Sequence, residues 1–435
     1  MRPETRYVKT PDGVYLAYQT VGDGTVDIVW QWEWLGNVDT IWEYRILAEW
    51  FKGLASFSRL ILHDRRGTGA SSRNVPPPDL ETRVSDLRLV LDEVGAERPI
   101  LGGTMEGGCP NVLFAASDPH RVRSLVWWYP APRTTQASDY PFGATPEILE
   151  RFVRAVDRWG TDDYEFGETQ ASGKRAEHVP WGWLSRQTAT PDVAAEIVRI
   201  VIETDVRGAM PSIAAPVLLM AREHDREALE YCASLLREPQ IRLFPGEDTL
   251  KIHEQPAVLD AIQEFIGLDR ARPELDTILS TVLFTDVVGS TEKQASMGDR
   301  RWKALIEEHH AIVRDALGRW RGVESSTAGD GFYATFDGPA RAIRCALEIR
   351  QRVRDLGIEI RAGVHTGECE VIDGQISGIT VTIGARVAAQ AGASEVLISQ
   401  TVKDLVAGSG LGFEDAGEHE LKGVPDRWRL YHVRE

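Results

Sequence analysis

Long hydrophobic runs are missing from this 435-residue chain. No window approaches the 18 or so uninterrupted apolar residues of a membrane span, which argues against a transmembrane helix. The opening segment Met1-Arg2-Pro3-Glu4-Thr5-Arg6 has no apolar core of the signal-peptide kind. Cysteine is scarce. Cys109, Cys232, Cys345 and Cys369 are scattered, with no metal-type spacing and no disulfide framework. Basic residues are outnumbered, 49 against 66 acidic, for a net charge of -17, which does not suit non-specific nucleic-acid binding. The charge reads as solubility. No internal repeat and no low-complexity tract stands out. The expectation is a soluble, cytoplasmic protein with no membrane span and no nucleic-acid partner.

What is present suits two domains, since 435 residues is long for one and 43% hydrophobic content can build sizeable cores. Strand-like runs at Asp27-Ile28-Val29-Trp30, Ser58–His63, Pro99–Gly102 and Pro216–Met220 alternate with helical patterns. Near-continuous apolar strands between helices imply an α/β fold with a doubly wound parallel sheet covered on both faces. Residues 130–212 interrupt the rhythm with helical patterns, as a cap over the sheet's C-terminal edge would. An amphipathic helix ends near Phe265, and the polar stretch after it reads as a linker. The expected boundaries are 1–268, a linker at 269–277, and 278–435. In the second part a strand to Asp286, a helix through Trp302–Leu317, strands near Gly322–Ser326 and Phe332–Phe336, a helix at Pro339–Asp355 and a strand at Ile358–Val364 follow in order. A helix beginning near Thr382 and a strand at Glu395–Ser399 come after. This βαββαβ order is ferredoxin-like α+β.

Two motifs in the first part carry chemistry. Gly103-Thr104-Met105-Glu106-Gly107-Gly108 follows a strand and opens a helix, and His63-Asp64-Arg65-Arg66-Gly67-Thr68-Gly69-Ala70-Ser71 forms a Gly-rich turn after an earlier one. From Tyr7 to Phe265 the chain resembles the α/β-hydrolase fold, whose nucleophile elbow is G-x-S-x-G. The resemblance puts Met105 at the nucleophile position, Asp225 at the acid, Thr249 at the general base and Glu33 in the oxyanion-hole region. A thioether has no proton to give up, and removing the nucleophile of a serine hydrolase costs on the order of a million-fold in rate. Threonine does not shuttle protons near pH 7, and a carboxylate opposes a developing oxyanion. The implication is a degenerate, catalytically dead hydrolase site; a rearranged triad using His253 is the alternative. Ten of the 13 tryptophans, among them Trp30, Trp32, Trp34, Trp127 and Trp128, fall in this part. They either line a retained pocket for a small apolar ligand or pack the core and cap.

The most informative residues are Asp286, in Leu283-Phe284-Thr285-Asp286-Val287-Val288-Gly289-Ser290-Thr291, and Asp330, in Ala328-Gly329-Asp330-Gly331. Each lies where a strand runs out into a Gly-containing turn, an arrangement suited to holding hard cations. With Gly378-Ile379-Thr380-Val381-Thr382-Ile383-Gly384-Ala385-Arg386 and Leu421-Lys422-Gly423 downstream, the ordered set resembles the catalytic domain of class III nucleotidyl cyclases, over Leu279 to Val433. The resemblance implies attack of a ribose 3′-hydroxyl on the α-phosphate of a nucleoside triphosphate, with pyrophosphate as leaving group. It makes Asp286, Asp330 and the Val287 carbonyl ligands of two divalent cations, Mg²⁺ or Mn²⁺. It turns the amides of Val288, Gly289, Ser290 and Thr291 toward the β- and γ-phosphates. It assigns Arg386 to the transition-state phosphate and Lys422 to the triphosphate. Because the family splits its site between two subunits and this chain carries both halves, a head-to-tail homodimer is implied.

Three positions depart from the adenylyl cyclase pattern. Ser326 replaces the base-reading lysine, Gln375 its partner aspartate, and Thr382 the transition-state asparagine. Serine and glutamine both donate and accept, so they lack the fixed polarity that separates one base from another. ATP is the default substrate, UTP or CTP the alternative, and a non-catalytic nucleotide-binding sensor a further one. The dead hydrolase part is read as a regulator of the cyclase or a support for its dimer.

Overall fold

The computed structural model describes residues 2–32, 36–161, 181–246, 256–267, 277–372 and 375–434. The chain divides into two compact units, Met1–Leu275 and Asp276–Glu435. Most of the expected linker, together with Glu33, Thr249 and His253, lies outside the described residues.

The first unit is built on eight strands: β1 (Arg6–Lys9), β2 (Tyr15–Val21), β3 (Asp27–Gln31), β4 (Arg59–His63), β5 (Ile100–Thr104), β6 (Ser124–Trp128), β7 (Val217–Arg222) and β8 (Pro239–Phe244). They form one sheet in the order β1-β2-β4-β3-β5-β6-β7-β8. The β1–β2 and β2–β4 pairs are antiparallel, and the rest are parallel. Every residue of β5, β6 and β7 is buried, as their near-continuous apolar sequences require of strands covered on both faces. The helices among the strands are α1 (Arg45–Ala55), α2 (Leu80–Glu93) and α3 (Cys109–Ser117). The interval read as a cap carries α4 (Pro146–Ala155), α5 (Trp181–Thr188) and α6 (Pro191–Glu203), between β6 and β7. After it come α7 (Arg226–Ser234) and α8 (Pro256–Gly267).

Tryptophan is chiefly a packing residue here. Trp30, Trp50, Trp127 and Trp128 are each 1% exposed. The Trp30 and Trp50 rings meet edge to face at 5.3 Å. Gly102 of β5 is required beneath Trp30, because a Cβ there would lie 2.2 Å from the indole.

The second unit contains β9 (Thr277–Val287), β10 (Val323–Ala328), β11 (Gly331–Phe336), β12 (Ile360–Ile372), β13 (Gln375–Ser377), β14 (Val396–Ser399), β15 (Gly412–Glu420) and β16 (Arg427–Arg434). The sheet runs β10-β11-β9-β12-β14-β16-β15, with β13 paired to β12. Its helices are α9 (Ser290–Met297), α10 (Asp299–Arg319), α11 (Pro339–Arg352), α12 (Ile379–Gln390) and α13 (Gln400–Leu405). The ferredoxin-like core is present in β9, α10, β10, β11, α11 and β12. Alternation along β9 separates two faces. Leu283 and Val287 join a buried cluster with Val313 of α10 and Ile343 of α11. Val282 and Phe284 point the other way, toward α12, where a Cβ on Gly384 would sit 2.4 Å from Val282. A Cβ on Gly363 would likewise meet the backbone of Ala388 at 2.2 Å. Two glycines therefore let α12 lie directly on the sheet.

Some expectations shift. The helix expected near Thr382 begins at Ile379, because Gly378, with φ 106°, turns the chain just ahead of it. The strand expected at Ile358–Val364 continues to Ile372, held along its length by β9. The sequence reading also did not anticipate β15 and β16, whose charged residues hide the alternation.

Candidate active site

In the first unit the elbow is intact as backbone. Met105 follows β5 with φ 47°, a left-handed conformation that costs a side-chain-bearing residue on the order of 1 kcal/mol or more. The flanking glycines are required by close approach: a Cβ on Gly103 would lie 2.8 Å from Gly108 Cα, and one on Gly107 2.7 Å from the Gln31 carbonyl. Trp127 Nε1 donates to the Met105 carbonyl at 2.7 Å. The residue after the elbow, Glu106, is buried between two guanidinium groups. Arg83 Nη1 donates to it at 2.9 Å, and Arg65 to its other oxygen. Burial raises the carboxyl's pKa, but Arg65 and Arg83 more than offset this and hold it below the ordinary value. Asp225 closes the short turn after β7, half-exposed, with His224 Nε2 at 2.9 Å. The charges around the elbow are thus paired with one another, and the position where a nucleophile would stand is a thioether.

The second unit brings Asp286 and Asp330 together. Asp286 is the penultimate residue of β9, and Asp330 sits in the turn between β10 and β11. Pairing of β11 with β9 carries that turn to the end of β9, where the Val287 amide donates to Asp330 Oδ2 at 3.3 Å. Both carboxylates stay partly exposed. Arg361 lies opposite Asp286 in register and donates to Oδ2 through Nε at 3.0 Å and Nη2 at 2.6 Å. Both bonds fall on one oxygen, so Oδ1 can face a cation. Two carboxylates and the Val287 carbonyl are hard oxygen donors, which fits Mg²⁺ or Mn²⁺. Among the described residues no cluster of three or more His, Cys, Asp or Glu side chains is placed to hold a metal. Water and triphosphate oxygens would have to complete the shell, the usual arrangement for Mg²⁺ at nucleotide sites.

Two adjacent histidines of α10 grip the Asp330 turn from behind. His310 Nε2 bonds to the Gly329 carbonyl at 2.9 Å, and His309 Nε2 to the Asp330 carbonyl at 3.3 Å. Because carbonyls only accept, each ring nitrogen must be the donor. Both rings stand edge-on to Phe332.

The phosphate-loop expectation needs one correction. The Val288 amide donates to the Glu359 carbonyl at 2.9 Å and is spent on that bond. Gly289, with φ 66°, caps α9, whose first turn holds Ser290 and Thr291 with amides free of intrahelical bonds. The remaining positions form two further groups. Thr382 is exposed on α12, and Arg386, one turn on, donates from Nε to the Lys422 carbonyl at 3.0 Å. Ser326 is exposed on β10 opposite Tyr333, and a bulge between Glu324 and Ser326 brings Ser325 within 3.5 Å of Thr335. Gln375 opens β13, and the Tyr333 hydroxyl donates to the carbonyl of the next residue, Ile376, at 3.1 Å. Tyr333 therefore ties together the strands that bear Ser326 and Gln375. Sequence reasoning missed Arg361, His309, His310, Ser325 and Tyr333. Their places follow from strand register, a bulge and helix packing, none of which leaves a local motif.

Residues 274–435 match the family model described as the adenylate and guanylate cyclase catalytic domain. An uncharacterised protein of Mycobacterium tuberculosis is 33% identical over 165 residues, which cover 37% of this chain and 56% of that protein. The chain thus spans about half the length of that curated relative. Over the N-terminal region, a putative carbamate hydrolase, RutD, of Caulobacter sp. is 26% identical across 212 residues, covering 47% of this chain and 75% of the relative. Among solved structures, the adenylyl cyclase CyaB from P. aeruginosa aligns with a TM-score of 0.35 at 21% identity, covering 37% of this chain and 97% of that one.

Proposed function

We propose that this chain, whose C-terminal unit is a class III nucleotidyl cyclase domain joined to an α/β-hydrolase-like unit, converts a nucleoside triphosphate to its 3′,5′-cyclic monophosphate and pyrophosphate. The observation that carries the proposal is the meeting of Asp286 and Asp330 at the end of β9 and the β10–β11 turn. Divalent cations bound there would lower the pKa of the 3′-hydroxyl and offset charge on the phosphates. Asp286, Asp330 and the Val287 carbonyl hold the metal side. The open amides at Ser290 and Thr291 receive phosphate oxygens. Arg386, its guanidinium anchored by the Lys422 carbonyl, presents a fork of N–H groups to the reacting phosphate, and Thr382 offers a hydroxyl one turn away. Lys422 contacts the triphosphate. Ser326 and Gln375 face the base.

The metal group and the Thr382–Arg386–Lys422 group belong to opposite halves of a shared site, so the active form is a head-to-tail homodimer. The hydrolase-like unit is catalytically dead and regulates the cyclase. ATP is the default substrate. A second reading, UTP or CTP, draws support from the uncharged hydroxyls of Ser325, Ser326 and Tyr333, which have no fixed polarity for adenine.

Pyrophosphate release is to be measured from ATP, GTP, CTP and UTP separately, with Mg²⁺ or Mn²⁺, and the products identified by mass. Release from one triphosphate that disappears in Asp286→Ala supports a cyclase and names its base. Binding of nucleotide without release from any of the four would replace it with the non-catalytic reading.

A further inference from the structure

A row of residues crosses the sheet of the second unit on the face that α12 partly covers. Ser326 of β10 pairs with Tyr333 of β11, Tyr333 with Phe284 of β9, and Phe284 with Gly363 of β12. Residues directly opposite one another in antiparallel strands share a face. α12 packs over one end of the row: Cβ atoms added at Gly363 and Gly384 would lie 2.2 Å from Ala388 and 3.3 Å from the Phe284 ring. The other end is open. Ser326 is exposed, and Tyr333 and Phe284 are half-buried.

Tyr333 is held at two points. Its ring lies flat against Phe284, with centroids 4.7 Å apart and planes 5° from parallel. Its hydroxyl donates to the Ile376 carbonyl at 3.1 Å. Burial pushes the phenol up to about 12, so the proton that makes this bond is present at neutral pH. A tyrosine side chain has two torsions, and the ring contact and the hydroxyl bond together fix both. The bond crosses from β11 to β13, a strand of three residues that lies off the main path of the sheet and pairs with β12. So short a strand has little backbone pairing of its own, and a side-chain bond from a third strand adds materially to its hold.

We propose that Tyr333 is a specificity-determining positioning residue, a strut that sets the spacing between Ser326 and the strand opened by Gln375 and so fits the site to one base. The proposal rests on the reading in which those two positions face the base. Serine and glutamine both donate and accept, so neither rejects a base by charge. Discrimination then depends on where their groups stand, because a site rejects the wrong ligand by leaving polar groups unpaired. The Tyr333 hydroxyl spends its one proton on Ile376, so it acts on the base through the strand rather than by donating to it.

Tyr333→Phe keeps the ring and its stack and removes only the strut. The full chain is tested with ATP, GTP, CTP and UTP. Selectivity is read as kcat/KM where pyrophosphate is released and as Kd, by calorimetry, where it is not. The parent is expected to prefer one base over the next, and Tyr333→Phe to cut that ratio by about fivefold or more, mainly by weakening the preferred triphosphate. Ile343→Val, in the core on the opposite face of the sheet, is the control for lost stability and should leave the ratio unchanged. An unchanged ratio in Tyr333→Phe, an equal loss of ratio in Ile343→Val, or a parent with no preference among the four would overturn the proposal. The cyclase reading fails separately: nucleotide binding without pyrophosphate release, with the ratio still lost in Tyr333→Phe, would remove the chemistry and keep the strut.

Discussion

The two units place the same device, a turn at the end of a buried strand, in opposite conditions. In the first, the backbone of a reactive turn survives without its chemistry. Met105 still holds φ 47° between glycines that admit no side chain. In the second, the chemical groups survive: two carboxylates meet across neighbouring strands and stay open to solvent. The contrast teaches that site geometry and site chemistry are held by different forces. Packing over-determines the elbow, since Trp127 holds the Met105 carbonyl and leaves no room for a Cβ at Gly108. Side-chain identity at one position is free to change beneath that constraint. The electrostatics differ in the same sense. Glu106, Arg65 and Arg83 are buried and spent on one another, whereas the Asp286–Arg361 pair, at 39% exposure for both partners, leaves Asp286 Oδ1 outside its two bonds.

The comparison breaks most visibly at Asp286. Asp286→Ala should lower pyrophosphate release by about 10³-fold while leaving the fold intact, read by turnover beside a thermal melt. Retention of the parent rate would remove the metal site from Asp286. Next in size is the histidine grip. His310→Ala should weaken Mn²⁺ binding by about 10- to 100-fold, followed by electron paramagnetic resonance, and His310→Gln should restore part of it by returning an N–H to the Gly329 carbonyl. Equal affinity in all three proteins would make the grip structural only.

Acidification should also separate the units. His365 in the second unit is buried and its pKa is pushed down to about 3. Its folded pKa is below its unfolded value, so stability present above about pH 6.5 is lost as pH falls, by about 2 kcal/mol at pH 5. In the first unit His63, at about 4, acts the same way. Asp64 opposes it there, because burial raises its pKa to about 7 and the folded state gains by taking up a proton between pH 7 and 4. Hydrogen exchange at pH 7 and pH 5 should show the second unit loosening more than the first; equal loss in both would contradict this balance. The smallest effect expected is none: Met105→Ser should bring no ester hydrolysis above background, since the hydrolase resemblance puts a threonine, Thr249, at the base position. Ester turnover in that variant would mean that the elbow had kept a working partner.

Much of both sites could be read from the chain alone, and the reasons are local. Asp286 and Asp330 are recognisable because each sits beside glycines at the end of an apolar run, and Met105 because the elbow glycines frame it. The differences at Ser326 and Gln375 are legible as lost charge, and that at Thr382 as a lost amide, whatever the fold does. The start of α12 was placed three residues late because the effect of Gly378, a backbone with φ 106°, belongs to conformation rather than composition. The tryptophans looked equally suited to a pocket or a core; burial puts Trp30, Trp50, Trp127 and Trp128 in the core, with Trp32 packed partly buried against it.

What the sequence by itself determined is which groups exist and which reactions they can and cannot perform: carboxylates that can hold cations, and a thioether that cannot become an acyl ester. What only the tertiary structure decided is which groups meet. Arg361 faces Asp286 because β12 pairs antiparallel with β9 in one register, and a shift of one residue would turn it to the opposite face. The histidines reach the Asp330 turn because α10 packs across the sheet, and Tyr333 reaches Ile376 because β13 folds back on β12. Such meetings join residues 19 to 75 positions apart. They are set by the burial of whole faces, which no single stretch of sequence encodes.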